Sequence, residues 1–273
     1  MRFRVAHTTR YRYSAPITET HMEVRLQPSE ELGQRLEHFE LELTPDTPVR
    51  TYVDGFGNRV HYFDYLPEHE MVEVTSRSLV ETADGSAREA GDGADAERPH
   101  DFLLFRPPVV EAAGVRRLVD RHRPRSLDSP SEVEAALDAL TISISRDFEY
   151  RPLTTTVTTA VDEVLRLRTG VCQDFAHLLI AAGRAMGVPT RYVSGYVHAG
   201  GRGPTVGASH AWAEAWLPER GWVGYDATHP VHAGERHVRI AVGRDYRDAA
   251  PTRGVYVGAA RGELEVRVEV EPA

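Results

Sequence analysis

Hydrophobic periodicity changes character once along this chain, and that change constrains the fold more than any other feature. Before residue 83 apolar and polar residues alternate, in Phe3-Arg4-Val5-Ala6-His7, Glu23-Val24-Arg25-Leu26, Phe39-Glu40-Leu41-Glu42-Leu43, residues 60–65 and Met71-Val72-Glu73-Val74-Thr75. A period of two puts one face of a strand on a core and the other in water. Ala15-Pro16, Gln27-Pro28, Thr44-Pro45-Asp46, Asp54-Gly55 and Leu66-Pro67 supply turn residues between these runs, and residues 54–58 read as a hairpin tip. Residues 84–97 then combine Gly, Ala and acids with no aromatic or β-branched residue, which predicts a segment that buries too little to order itself.

Beyond it the period becomes helical. Helices are predicted over 109–122, over 131–140 behind a Ser131/Glu134 capping box, over 161–168 with Gly170 as the stop, and over 172–186 closed by Gly187 and Pro189. Strands return at 190–198, 209–217, 222–226 and 238–242, and residues 255–257 and 263–270 are expected to complete that second sheet. The expected organisation is a β-rich N-terminal domain (1–82), a flexible acidic linker (83–99) and an α+β core carrying the C-terminal strands (100–273).

Composition removes several classes of chemistry. All 32 basic residues are Arg, so there is no lysine for a Schiff base or a P-loop. A single cysteine, Cys172, excludes an intramolecular disulfide, a CxxC redox pair and a cysteine-cluster zinc site. A net charge of −9 argues against nucleic-acid and anionic-membrane partners. The N-terminus lacks the apolar run of a signal peptide, and no stretch approaches a membrane span. A cytoplasmic protein with a reduced thiol is expected.

Cys172 falls at the first turn of a helix that is apolar on nearly every side through Phe175, Ala176, Leu178, Leu179 and Ile180. A helix N-terminus presents free amide N–H groups and partial positive charge, which favour a thiolate and can hold an oxyanion. Taken alone, a lone cysteine is more often an inert core residue. The strand Ser209-His210-Ala211-Trp212-Ala213-Glu214-Ala215-Trp216-Leu217 alters that balance. Its alanine face admits a close neighbour, fitting the Cys172 helix. A hairpin then returns through Trp222-Val223-Gly224-Tyr225-Asp226, setting Asp226 roughly opposite Ala213, and a one-residue change of register brings it closer to His210. Thiol, imidazole and carboxylate can thus converge in the order Cys172, His210, Asp226, although each taken singly also reads as a surface, capping or core residue.

The strings Thr169-Gly170-Val171-Cys172-Gln173-Asp174-Phe175-Ala176, Ser209-His210-Ala211-Trp212-Ala213-Glu214 and Gly221-Trp222-Val223-Gly224-Tyr225-Asp226-Ala227-Thr228 closely resemble the bacterial transglutaminase-like superfamily. The opening residues 4–13, Arg25-Leu26-Gln27-Pro28, and Val242-Gly243-Arg244-Asp245-Tyr246 resemble its bacterial members too, the first two their N-terminal region. The resemblance implies a papain/transglutaminase-like α+β core with Cys172 as nucleophile, His210 as general base and acid, and Asp226 as the orienting carboxylate. It implies no cofactor and no calcium. It also implies a peptide or protein amide as substrate, opened by hydrolysis in the manner of a cysteine protease or amidase. Transfer of a glutamine acyl group to an amine, or a catalytically idle peptide-binding module of the same fold, are the alternatives. Oligomeric state is not legible.

Other residues are weighed against the same frame. Tyr150, Gln173, Asp174 and Trp212 are candidates for lining the cleft, with ordinary core the favoured reading of Tyr150. Asp174 and His177 are polar exceptions on a buried helix, for backbone bonding or for the cleft. Asp226, His229, His232 and His237 crowd together as metal ligands do, but Pro230 breaks the presentation and no cysteine or glutamate completes a familiar set, so a solvated loop and no metal are expected. Gly200-Gly201-Arg202-Gly203-Pro204 reads as a loop flanking the site or as a plain connection.

Overall fold

A computed structural model describes residues 1–83, 99–201, 203–207, 209–218 and 220–273. The residues expected to form the linker lie, except for 83 and 99, outside the described residues. The N-terminal half runs β1 (Arg2–Val24), β2 (Arg35–Thr44), β3 (Arg50–Val53), β4 (Arg59–Tyr65) and β5 (His69–Glu81). After a 3-10 turn at Pro99–Leu103 come α1 (Ala113–Asp120), α2 (Pro130–Asp147), β6 (Glu149–Tyr150), α3 (Val161–Leu167), β7 (Thr169–Gly170) and α4 (Cys172–Ala185). The chain closes with β8 (Thr190–Val197), β9 (Thr205–Gly207), β10 (His210–Leu217), β11 (Gly221–Asp226), β12 (Val231–His232), β13 (His237–Gly243), α5 (Tyr246–Ala249), β14 (Thr252–Val257) and β15 (Gly262–Pro272).

The helices form near their predicted places, with local shifts. Pro107 and Pro108 lie inside a bridged turn between Arg106 and Val109, and α1 begins only at Ala113. The cap of α2 is Ser129 rather than Ser131: its side chain accepts from Glu132 N, and Pro130 takes the first helical position, where a missing N–H does no harm. Arg168, in the left-handed region at φ 58°, ends α3 before Gly170, which instead joins β7. Gly187, at φ 86°, closes α4 as expected.

Two strand expectations are corrected. The turn predicted at Ala15-Pro16 does not interrupt β1, which continues through a register shift between Arg12 and Ile17. Proline is tolerated there because a bulge leaves the ladder unpaired. More consequentially, residues 255–257 and 263–270 do not complete the second sheet. β15 pairs antiparallel with β1 from Phe3–Pro272 to Tyr13–Gly262, and β14 pairs with the far end of β1. β9 in turn adds to β15. The first sheet therefore takes strands from both ends of the chain and from the middle. Alternation tells which face of a strand is buried but not which neighbour it bonds.

The second sheet is antiparallel in the order β12-β11-β10-β8-β13. Helix α4 packs on β10, with Leu178, Ala181 and Ala182 buried in one apolar cluster with Ala211, Ala213 and Ala215. That cluster also includes Phe3, Val5 and Met22 of β1, so the two halves share a continuous core. Beneath the sheet Glu214, fully buried, accepts from Arg191 at 2.8 Å and from Arg239.

The N-terminal half also covers the edge strand β13. The Gln34 carboxamide accepts from Arg239 N at 2.9 Å and donates to Arg239 O at 2.9 Å. Asn58, in the 54–58 hairpin tip, accepts from Val242 N at 2.7 Å and donates to Val242 O at 2.8 Å. Two side-chain amides thus stand in for part of a neighbouring strand on a buried edge. Among the described residues no helix is long and apolar enough to cross a membrane.

Candidate active site

Cys172 is the first residue of α4, preceded by Val171 in extended conformation. The Asp174 carboxylate turns back to accept from Val171 N at 2.8 Å and from Thr155 Oγ1 at 2.6 Å. Phe175 N is bonded to Val171 O, so the amides of Cys172, Gln173 and Asp174 precede the helical ladder. The cysteine is half-buried. Asp174 is fully buried, and desolvation raises its pKa against those two hydrogen bonds. Its task is to close the helix start, and it does not line an open cleft.

His210 opens β10 and Asp226 ends β11. The ladder pairs Ala213 with Tyr225 and Trp216 with Trp222. Continued in register, it sets Asp226 opposite Trp212, one residue from the predicted alignment, and makes His210 its diagonal neighbour on the same face. Long side chains span that diagonal. His210 Nε2 lies 2.8 Å from Asp226 Oδ2, with both residues buried.

The electrostatics separate the two groups. Burial works against a charged His210, but hydrogen bonding to Asp226 and to Cys172, and attraction to both, outweigh it and push its pKa up to about 10. Burial would likewise raise Asp226, yet bonds from His210, His229 and His237 hold it well below the usual carboxylate range. With Nε2 committed to Asp226, Nδ1 is the ring nitrogen left for the sulfur. The three sequence candidates Cys172, His210 and Asp226 are therefore brought together.

The remaining candidates divide. Tyr150 is about half exposed at 51%, against the reading as ordinary core; its ring meets Phe175 edge-on and Cys172 contributes to raising its pKa after burial. Gln173 and Trp212 are buried. Trp212 stacks on His210 with ring centroids 6.2 Å apart and meets His237 edge-on at 5.2 Å, forming a wall beneath the imidazole. Its indole closes over Gly195, the cross-strand partner of His210, where an added Cβ would lie 2.5 Å from the ring and 2.2 Å from Val238 O. His177 is buried and bonds the backbone: Tyr246 N donates to its Nε2 at 3.2 Å. Residues 200–204, apart from Arg202, which is not among the described residues, connect β8 to β9.

What the sequence reading missed is the number of groups on Asp226. Besides His210, His229 Nδ1 lies 3.0 Å and His237 Nε2 3.1 Å from the same Oδ2. Asp226 Oδ1 accepts from Thr228 N at 2.9 Å and His229 N at 3.3 Å, an Asx turn that swings His229 back over the carboxylate. Gly234 N donates to His237 Nδ1 at 3.3 Å, so the hydrogen of that ring sits on Nε2 and points at Asp226. The solvated-loop expectation holds for the backbone of this stretch, where residues 229–232 are exposed, but the His229 and His237 rings turn to Asp226 while His232 faces Asp138. The crowding visible in the sequence was the available signal. Ligand atoms of His210, Asp226 and His229 all lie within 4.8 Å of one another.

Comparison with known proteins places this geometry in context. Residues 122–227 match the transglutaminase-like superfamily, and residues 3–81 match the bacterial transglutaminase-like N-terminal region. An uncharacterized protein of Mycobacterium leprae is 36% identical over 98% of this chain and 98% of its own. The protein-glutamine gamma-glutamyltransferase of Pseudomonas aeruginosa is 32% identical over 125 residues, 40% of this chain and 18% of its own. A crystal structure from Cytophaga hutchinsonii, named a "putative cysteine protease", shares the fold with a TM-score of 0.75 at 24% identity, over 98% of this chain and 90% of that one.

Proposed function

The chain belongs to the transglutaminase-like superfamily, and on that premise we propose that it is a cysteine-dependent acyl-transfer enzyme that opens amide bonds through a thioester, with water as the acceptor. The observation that carries this reading is the placing of His210, with Asp226 at 2.8 Å on Nε2 and its charged form favoured by both Asp226 and Cys172.

In this mechanism His210 carries the proton at rest and Cys172 Sγ is the thiolate. Sγ attacks the amide carbonyl carbon, and charge develops on the oxygen near the start of α4, where the Cys172 amide is one donor. Nδ1–H gives its proton to the leaving amine, the C–N bond breaks and a thioester remains. Water then attacks the thioester carbonyl while Nδ1 takes its proton, and Sγ leaves. Asp226 holds the imidazole in one tautomer and balances its positive charge. His229, His237 and two backbone amides hold Asp226 in turn.

The partial likeness to the Pseudomonas glutamyltransferase favours an amine acceptor as the second reading. Without lysine, the chain offers no side-chain amine of its own, so that amine comes from another molecule or from the chain's N-terminus.

The test is labelling by a peptidyl electrophile that mimics an amide, with the site of addition read by mass spectrometry. Cys172 should react well above the rate of a free thiol, and His210→Ala should remove the advantage. Reaction at the free-thiol rate, unchanged in His210→Ala, would overturn the proposal. Products from a peptide and isopeptide library, with and without an added amine, separate water from amine.

A further inference from the structure

Three imidazoles around one carboxylate oxygen are more than a catalytic triad uses. The triad needs one imidazole on Asp226, and the backbone amides of Thr228 and His229 already fix the carboxylate through Oδ1. The His229 side chain is 55% exposed, yet its ring is turned inward to 3.0 Å from Oδ2.

The geometry points to a second use: we propose that His210 Nε2, Asp226 Oδ2 and His229 Nδ1 form a site for one divalent transition-metal ion of the zinc class, whose binding holds the triad inactive. Two imidazoles and a carboxylate are a zinc-type ligand set; oxygen-preferring magnesium and calcium are not served by it. Around a tetrahedral ion at about 2.0–2.1 Å from each ligand, donor atoms stand about 3.3 Å apart. The Oδ2–Nε2 and Oδ2–Nδ1 separations of 2.8 and 3.0 Å need to open by a few tenths of an ångström, and the two imidazole nitrogens, within 4.8 Å of each other, need to settle at the same spacing. His229, being half-exposed, is the ligand free to make that adjustment, and it gives the ion a way in from solvent. The carboxylate is already oriented by its bonds through Oδ1, and the His237 N–H supports the ligating oxygen itself. A fourth position is left for water.

Binding exchanges protons for the ion. The hydrogens that His210 and His229 direct at Oδ2 leave to solvent, and the metal takes their place on Nε2 and Nδ1. His210 then has the metal on Nε2 and its remaining hydrogen on Nδ1, so no lone pair is left to receive a proton from water. Asp226 is likewise no longer available to balance an imidazolium. The site stands on geometry alone; its effect on catalysis rests on the triad reading given above.

The test uses the full chain stripped with EDTA. Calorimetric titration with Zn2+ should give one site per chain, and His229→Ala should weaken it tenfold or more. Cys172→Ser should leave the affinity unchanged. Co2+ should give the visible absorption of a four-coordinate nitrogen–oxygen site without a thiolate charge-transfer band. No binding at millimolar Zn2+, binding indifferent to His229→Ala, or a cobalt–thiolate band would overturn the site. Where the chain acts on an amide or on the peptidyl electrophile, stoichiometric Zn2+ should suppress that reaction and EDTA restore it; persistence of the reaction in the zinc-loaded protein would overturn the inhibitory role. A chain that binds zinc through these residues but is inert to amides and electrophiles would refute the acyl-transfer reading and leave the metal site standing.

Discussion

His210 Nε2 and Asp226 Oδ2 lie 2.8 Å apart, and this contact assigns the two ring nitrogens to different partners. Asp226→Asn keeps the size of the side chain but loses the charge that balances an imidazolium. Turnover should fall by about 10³- to 10⁴-fold, with the circular dichroism of the folded protein unchanged. A loss of less than tenfold would remove Asp226 from the mechanism.

Gly195 supports the imidazole from below. An alanine there would put Cβ 2.2 Å from Val238 O and 2.5 Å from the Trp212 ring, and backbone cannot yield as a side-chain tip does. Gly195→Ala should destabilise the protein by about 3 kcal/mol and, through Trp212, disturb His210. Chemical denaturation measures the first effect and the labelling rate of Cys172 the second.

Asn58 joins the two halves through Val242. Asn58→Ala leaves the amide and the carbonyl of Val242 without those partners on a buried strand. Each orphaned group costs about 1–3 kcal/mol, so a loss of about 2–6 kcal/mol is expected from urea unfolding. Asn58→Asp should recover at most part of it, because a carboxylate accepts from Val242 N but cannot donate to Val242 O.

His7 predicts an acid-sensitive stability. It is buried against Tyr196 and Thr9, and desolvation lowers its pKa to about 4. The unfolded chain, with an ordinary imidazole near about 6.5, takes up the proton first as pH falls. The contribution of His7 is therefore complete above that value, declines between it and about 4, and levels off below. The full decline is about 3 kcal/mol. His177, lowered to about 3 by burial, extends the same trend further into acid. Unfolding followed from pH 8 to pH 4 in wild type and His7→Gln should show a shallower fall in the variant.

Much of the site was legible because it is written locally. The start of α4 follows from Gly170 and the apolar run after Cys172, and the hairpin of β10 and β11 follows from its turn and alternation. Only their register was off, by one residue, since Gly221, at φ 66°, pairs with Leu217 as the first residue of β11 instead of belonging to the turn. Tyr150, Trp212 and the histidines of 229–237 were not legible in the same way. Whether an aromatic ring is exposed, or an imidazole turned toward a carboxylate, depends on elements distant in sequence.

By itself the sequence determined most strand and helix segments, the lone thiol at a helix start and the order of thiol, imidazole and carboxylate, because caps and periodicity act over a few residues. Tertiary structure decided that β15 returns to β1 across nearly the whole chain, that Asn58 and Gln34 cover β13, and that three imidazoles share one oxygen of Asp226. Backbone pairing is chemically alike from strand to strand, so the choice of partner falls to the packing of the whole core.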